Sequence, residues 1–411
     1  FGSKMIKVLE GRESDEIKES ELVDSIFRNG GSLKEILDFD YREEQSVMAS
    51  SVVKSLNDGS HLLFEAGTGV GKSLAYLIPS IIHAKRNSRP CVVATNTINL
   101  QEQLLEKDIP SVRKVFEAVD TLSEYADFRC ALLVGRANYL CSTRLHRALS
   151  GQTDFLDVGQ RKELERIANW ANTEAVEGIR QEISPPPSVS VWEQINADSS
   201  ICSSKRCHPE HCFYRRARNR VERANLVIVN HSLLFSLLGA GFGPDNEDGG
   251  VLFADDFIVF DEAHEIPEVA SEHLGLSLSS WSLETFLRRL YNPRGRKGLL
   301  KSIGRLSDFE AVENAVLAVE DFFQILHVDT LGNKDRSRLV EKGRLPMEIF
   351  PPLSLVLRKL IELGETCEDE TTKIEIKDQA KRMQGYLNGL SDIFDLKDPD
   401  SVYWMERTGK K

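Results

Sequence analysis

Residues 61–80, "HLLFEAGTGVGKSLAYLIPS", decide the fold. A short apolar run with the look of a strand enters Ala66, Gly67, Thr68, Gly69, Val70, Gly71, Lys72 and Ser73. Leu74, Leu77, Ile78 and Ile81 then recur at helical spacing. Strand, glycine-rich turn and helix in that order are the context a phosphate-binding loop requires. Glycines let successive backbone N–H groups converge on phosphate oxygens, and the helix N-terminus adds partial positive charge. In such a loop Lys72 reaches the β- and γ-phosphates of ATP, and the Ser73 hydroxyl ligates Mg2+. Ala66 stands where the general pattern has its first glycine.

A phosphate loop of this kind needs a second piece, an apolar strand ending in an acid. "FIVFDEAH" (257–264) supplies it. Asp261 at the strand's end is expected to hold Mg2+ through its water shell, and Glu262 to orient and deprotonate the attacking water. Lys72, Asp261 and Glu262 are therefore the expected catalytic set. Between the two motifs lie "CVVAT" (91–95), "ALLVG" (131–135) and "LVIVN" (226–230), short β-branched runs suited to a parallel sheet covered on both faces. Strands alternating with helices, such as one over 99–107, predict a doubly wound α/β lobe with its ligand site beyond the strands' carboxyl ends.

The 411 residues are 41% hydrophobic, enough for two or three cores. No apolar run approaches the roughly 18 residues of a membrane span, and the N-terminus lacks the apolar core of a secretion signal. A cytoplasmic protein with no membrane partner is expected. With 52 Lys and Arg against 64 Asp and Glu, the net charge of −12 argues on its face against nucleic acid. Two stretches oppose it: "FYRRARNRVER" (213–223) holds five arginines, and "LRRLYNPRGRKGLLKSIGR" (287–305) holds seven basic residues and no acid.

Seven cysteines, an odd number in a large acidic chain, fit a reducing compartment. Three fall in "CSSKRCHPEHC" (202–212) at five-residue steps. Five residues turn a helix by about 500°, which scatters the thiols, so a loop must gather them, and Pro209 favours one. Zinc or an iron–sulfur cluster could hold that loop. Cys202, Cys207, His208, His211 and Cys212 would furnish a tetrahedral zinc site.

"FEAGTGVGKS", "VVATNTINLQEQLLEKDIP", "VGRANYLC", "LVIVNHSLL" and "IVFDEAHEIPEVA" occur in this order, and from about residue 40 to 270 the chain resembles the DinG/XPD family of iron–sulfur DNA helicases. The resemblance implies a RecA-like P-loop lobe and an ATP-dependent 5′→3′ helicase. Such an enzyme tracks on single-stranded DNA and acts on forked or displaced-strand DNA in repair or replication. It implies that Tyr41, Arg42 and Gln45 read adenine, and that "TNTINLQEQL" with Arg136, Asn138, Tyr139, Asn230 and His231 contacts DNA. It also implies that Cys141, Cys202, Cys207 and Cys212 ligate a [4Fe–4S] cluster, leaving Cys91 to pack and Cys130 and Cys367 as plain thiols.

Beyond residue 270 the sequence turns helical. Phe309, Val312, Val316, Val319, Phe323 and Leu326 form one apolar stripe, and Ala380, Met383, Leu387, Leu390 and Phe394 another. By position these match the family's arch domain. The expected organisation is a tag remnant and extension over 1–14, and a RecA-like lobe from 15–135, 220–265 and 400–411. An iron–sulfur domain over 136–219, with "SPPPS" (184–188) as a stiff spacer, and a helical arch over 266–399 complete it. The family's second RecA-like lobe is absent, so an N-terminal half of a monomeric helicase is expected, nearly inactive alone. Two alternatives stand beside it: a non-motor single-stranded-DNA-binding module with a redox or zinc site, and a DinG-like nuclease.

Overall fold

The computed structural model describes residues 12–67, 69–150, 158–198, 202, 209–239, 257–295, 298–343 and 345–407. The chain divides into two compact units, Phe1–Gly275 and Leu276–Lys411. No described helix is long and apolar enough to cross a membrane.

The first unit is built on four parallel strands, β1 (Cys91–Thr95), β2 (Cys130–Leu132), β3 (Leu226–Asn230) and β4 (Phe257–Phe260), in the order β2-β3-β1-β4. Val92, Val93, Val227, Ile228 and Val229 are all buried, as strands covered on both faces demand. This is the α/β, RecA-like arrangement expected from the sequence. Helices α1 (Arg12–Phe27), α2 (Ser32–Leu37), α3 (Glu43–Asp58) and α4 (Lys72–Asn87) precede β1. Every residue of α4 from Leu74 to Ala84 is buried, so this helix is the centre of the core.

Two local expectations are corrected. Residues 61–67 form no strand, and Leu62 and Leu63 are 41% and 91% exposed. A strand exists through its ladder, and the run's composition does not supply a neighbour. The helix expected over 99–107 is two pieces, α5 (Ile98–Gln103) and a π-helical turn Leu104–Asp108, and α6 (Ile109–Ala118) follows them.

The insert between β2 and β3 carries α7 (Ser142–Leu149), α8 (Val158–Thr173), α9 (Val189–Ile195) and α10 (Phe213–Val221). Its apolar side chains, Leu145, Ile167, Trp192 and Phe213 among them, belong to the same continuous core as the sheet. Residues 184–188 are fastened rather than free, because Arg166 donates to the Ser184 carbonyl (3.2 Å) and Arg180 to the Pro187 carbonyl (3.0 Å). The unit ends with α11 (His231–Gly239), β4 and α12 (Ile266–Leu274).

The second unit packs α13 (Ser280–Leu290), α14 (Leu306–Leu326), α15 (Phe350–Thr366) and α16 (Glu370–Phe394) around their own apolar core. Val312, Val316, Val319 and Leu326 of the first stripe are buried, while Phe322 takes the interior place expected of Phe323. Met383, Leu387 and Leu390 of the second stripe are buried too. Strands β5 (Arg336–Arg338) and β6 (Trp404–Glu406) pair antiparallel, so residues 404–406 join this unit instead of the nucleotide lobe.

Candidate functional site

At the start of α4, Gly69 and Gly71 adopt φ of +83° and +84°, a region that glycine enters without a Cβ penalty. Gly71 caps the helix, placing Lys72 and Ser73 in its first turn. Ala66, Gly67 and Val70 line the approach, with Gly67 and Gly69 exposed, and Thr68 lies outside the described residues. The loop is tied from behind: Gln45 of α3, 6% exposed, donates from Nε2 to the Gly71 carbonyl at 2.9 Å. Of the expected adenine-reading trio, Tyr41 and Arg42 are exposed and Gln45 is buried against the loop.

The loop and the acidic strand end meet. Lys72 Nζ lies 3.3 Å from Glu262 Oε1, across 190 positions of sequence. Tyr76 donates to Asp261 Oδ2 at 3.3 Å, and the Asp261 N–H bonds the Ala94 carbonyl at 2.9 Å, carrying the β1–β4 ladder to its end. Glu262 holds φ +55°, unusual for a non-glycine residue, and His264 touches its other carboxylate oxygen at 3.4 Å. Burial, and then the neighbouring Glu262 charge, raise the Asp261 pKa, with Lys72 opposing. A carboxylate raised in this way is suited to receiving a cation.

Two residues here were not anticipated. Tyr76 sits one turn beyond Lys72 and is 2% exposed, and burial pushes its pKa well up. Asp108, 8% exposed, ends the π-helical turn, and burial raises its pKa while the Ser73 hydroxyl and Gln103 oppose as hydrogen-bonding neighbours. The signal was present in the sequence: Asp108 falls in step with Leu104, Val112 and Val115, an acid on an otherwise apolar stripe.

Residues 46–135 match the family described as DEAD/DEAH box helicase, and residues 107–283 match DEAD_2. The chain is similar to the ATP-dependent DNA helicase YoaA of Haemophilus influenzae, 32% identical over 416 residues, covering 96% of this chain and 58% of that protein. The chain belongs to the DinG/XPD helicase family. It is also 34% identical over 265 residues to the ATP-dependent helicase DinG of Mycobacterium tuberculosis, covering 61% of this chain and 38% of that one. To the 3'-5' exonuclease DinG of Bacillus subtilis it is 29% identical over 372 residues, covering 89% and 37%. The chain therefore spans 37% to 58% of the length of these DinG/XPD relatives.

Among the residues expected to contact DNA, Tyr139 and His231 are corrected. Both are 0% exposed, and a side chain without surface offers nothing to a strand. Tyr139 accepts from the Val134 N–H at 3.2 Å, and His231 Nε2 meets the Ala94 carbonyl at 3.1 Å beneath Phe260. They brace the loops that follow β2 and β3. Asn230 caps α11, its Oδ1 accepting from the Leu233 N–H at 2.8 Å. Arg136, half-buried, lies over the Tyr214 ring at 4.6 Å, with Asn138 in the turn beside it.

Cys141, Cys202 and Cys212 are half-buried, and Cys207 lies outside the described residues. Their segments are joined: Ser142 Oγ donates to the His211 carbonyl at 2.8 Å, and the Cys141 N–H bonds the Ile195 carbonyl at 2.8 Å. Among the described residues no three cysteine, histidine or acidic side chains gather closely enough to hold a metal ion.

Proposed function

We propose that this chain is the ATP-binding portion of a DNA helicase that moves 5′→3′ along single-stranded DNA and couples ATP hydrolysis to parting duplexes in repair or replication. The contact of Lys72 with Glu262 carries this reading, because it brings the lysine of the glycine-rich turn against a candidate general base. Backbone N–H groups around Gly69 and Gly71, with the α4 N-terminus, would bind phosphate oxygens. Lys72 would exchange Glu262 for the γ-phosphate, releasing the Glu262 carboxylate to take a proton from water. Ser73 and Asp261 would hold Mg2+, which supplies charge neutralisation on the phosphates.

Full-length protein should hydrolyse ATP in response to single-stranded DNA and unwind a forked duplex, and Lys72→Ala should abolish both. Unimpaired turnover in that variant would overturn the assignment. The name of the Bacillus subtilis relative points instead to an exonuclease. The same unwinding gel separates the two activities, because a nuclease shortens the labelled strand.

Cys141, Cys202, Cys207 and Cys212 are proposed to hold a [4Fe–4S] cluster, supported by the hydrogen bonds that bring the 141, 195 and 211 segments together. Thiolates suit iron, and a cluster would hold the loop that the sequence predicts over 202–212. Protein purified without oxygen should carry about four irons per chain, and stoichiometric zinc would refute the cluster. Partners are single-stranded and forked DNA, the protein acting as a cytoplasmic monomer. Arg136, Asn138 and Asn230 remain the proposed strand contacts.

A further inference from the structure

We infer that His231 is a positioning residue for Asp261, holding the carbonyl from which the end of the acidic strand hangs. β1 lies between β3 and β4 in the sheet, and Ala94 pairs with Val229 on one side and Phe260 on the other. The first residue after each flanking strand reaches back to the same Ala94 oxygen, the Asp261 N–H at 2.9 Å and His231 Nε2 at 3.1 Å. A carbonyl oxygen only accepts and has two lone pairs, so Nε2 carries the proton and both lone pairs are used. Beyond Asp261 the chain turns away, with Glu262 at φ +55°. What fixes the Ala94 carbonyl therefore fixes the point from which the Asp261 side chain projects.

The rest of the ring's surroundings agree. His231 is 0% exposed, and its Nδ1 is buried with no hydrogen-bond partner among the described residues. Burying a nitrogen unpaired is unfavourable, so packing alone would favour an apolar side chain at 231. The apolar contacts lead to the same strand end. The His231 ring lies 5.9 Å from that of Phe260, and Phe235, one turn further along α11, stacks on Phe260 at 6.1 Å. α11 thus grips the residue before Asp261 by its ring and Asp261 itself through a shared acceptor. Asn230, a proposed strand contact, immediately precedes His231. The loop that would meet DNA and the acid that would hold Mg2+ share one anchor.

The inference rests on the nucleotide site proposed above, and the test keeps the two apart. In nucleotide-free full-length protein, hydrogen exchange is followed over 257–264 and, for reference, 72–87. Urea is added to the parent until its unfolding free energy equals each variant's. His231→Leu keeps an apolar body against Phe260 but donates nothing. Its exchange over 257–264 should be about 5- to 10-fold faster than the matched parent's, with 72–87 unchanged. His231→Gln, whose amide N–H can reach the same carbonyl, should restore most of the protection. A Leu variant no faster than the matched parent, or a Gln variant as fast as the Leu variant, would overturn the inference. Affinity for fluorescent ADP is then compared with Mg2+ and with EDTA, the ratio giving the enhancement due to the metal. His231→Leu should cut that ratio about 10-fold, and should cut it no further in an Asp261→Asn background. An undiminished ratio, or losses that add, would overturn the inference. Failure of the parent to bind ADP, or equal binding by Lys72→Ala, would overturn the nucleotide site and the metal role with it, even where exchange over 257–264 is faster.

Discussion

Gly71 is the position where the phosphate loop's backbone, its helix cap and its anchor coincide, so Gly71→Ala tests all three. A Cβ built there would lie 2.3 Å from Gln45 Nε2, and φ is +84°. The left-handed backbone costs an alanine about 1–2 kcal/mol. Displacing Gln45 forfeits its bond to the Gly71 carbonyl, about 1 kcal/mol more. Together Gly71→Ala should destabilise the first unit by about 2–3 kcal/mol, and Gln45→Ala alone by about 1 kcal/mol. If the new methyl already breaks the Gln45 bond, the double variant should cost no more than Gly71→Ala. The coupling is then about 1 kcal/mol below additivity. Hydrogen exchange under increasing urea, read on peptides from residues 43–90, reports this unit rather than an average over both. Costs that add to within about 0.3 kcal/mol would refute the picture of Gln45 as the loop's anchor.

Asp261→Asn should make the nucleotide-free protein more stable at neutral pH. A carboxyl whose pKa is raised in the folded state favours folding only while protonated, and that contribution is lost as pH rises through the raised value. The gain over the parent in thermal melts should therefore be clear at pH 7.5 and fade towards pH 4, and a less stable variant at pH 7.5 would contradict it. His231→Ala should lower stability by about 1–3 kcal/mol through the lost contact with the Ala94 carbonyl. The salt dependence of single-strand binding should be unchanged in that variant, so a shallower slope would return His231 to the DNA surface. In the second unit, Asp308 is 3% exposed, accepts from the Arg305 N–H at 2.8 Å and pairs with Lys359 at 3.1 Å. Asp308→Ala should cost about 2 kcal/mol in urea unfolding, with Asp308→Asn recovering the helix cap but not the ion pair.

The candidate nucleotide site was legible in the sequence to the extent that local chemistry defines it. Gly69, Gly71, Lys72 and Ser73 had to be contiguous because one turn of backbone forms the cradle. Asp261 and Glu262 were legible because an apolar strand ending in acids has few other uses. What composition could not supply was pairing: "HLLFE" reads as a strand, yet strandhood depends on a neighbour that sits elsewhere in the chain. Nor could it separate surface from interior at polar positions. Tyr139 and His231 lie in segments that resemble DNA-binding motifs, and the resemblance is silent on whether each side chain faces the strand or braces the loop beneath it. Asp108 is the converse case. It stands on an apolar stripe, where an acid is expensive to bury, and no motif of the sequence points to it. A polar residue in phase with an apolar face is thus a signal separate from the strand motifs around it.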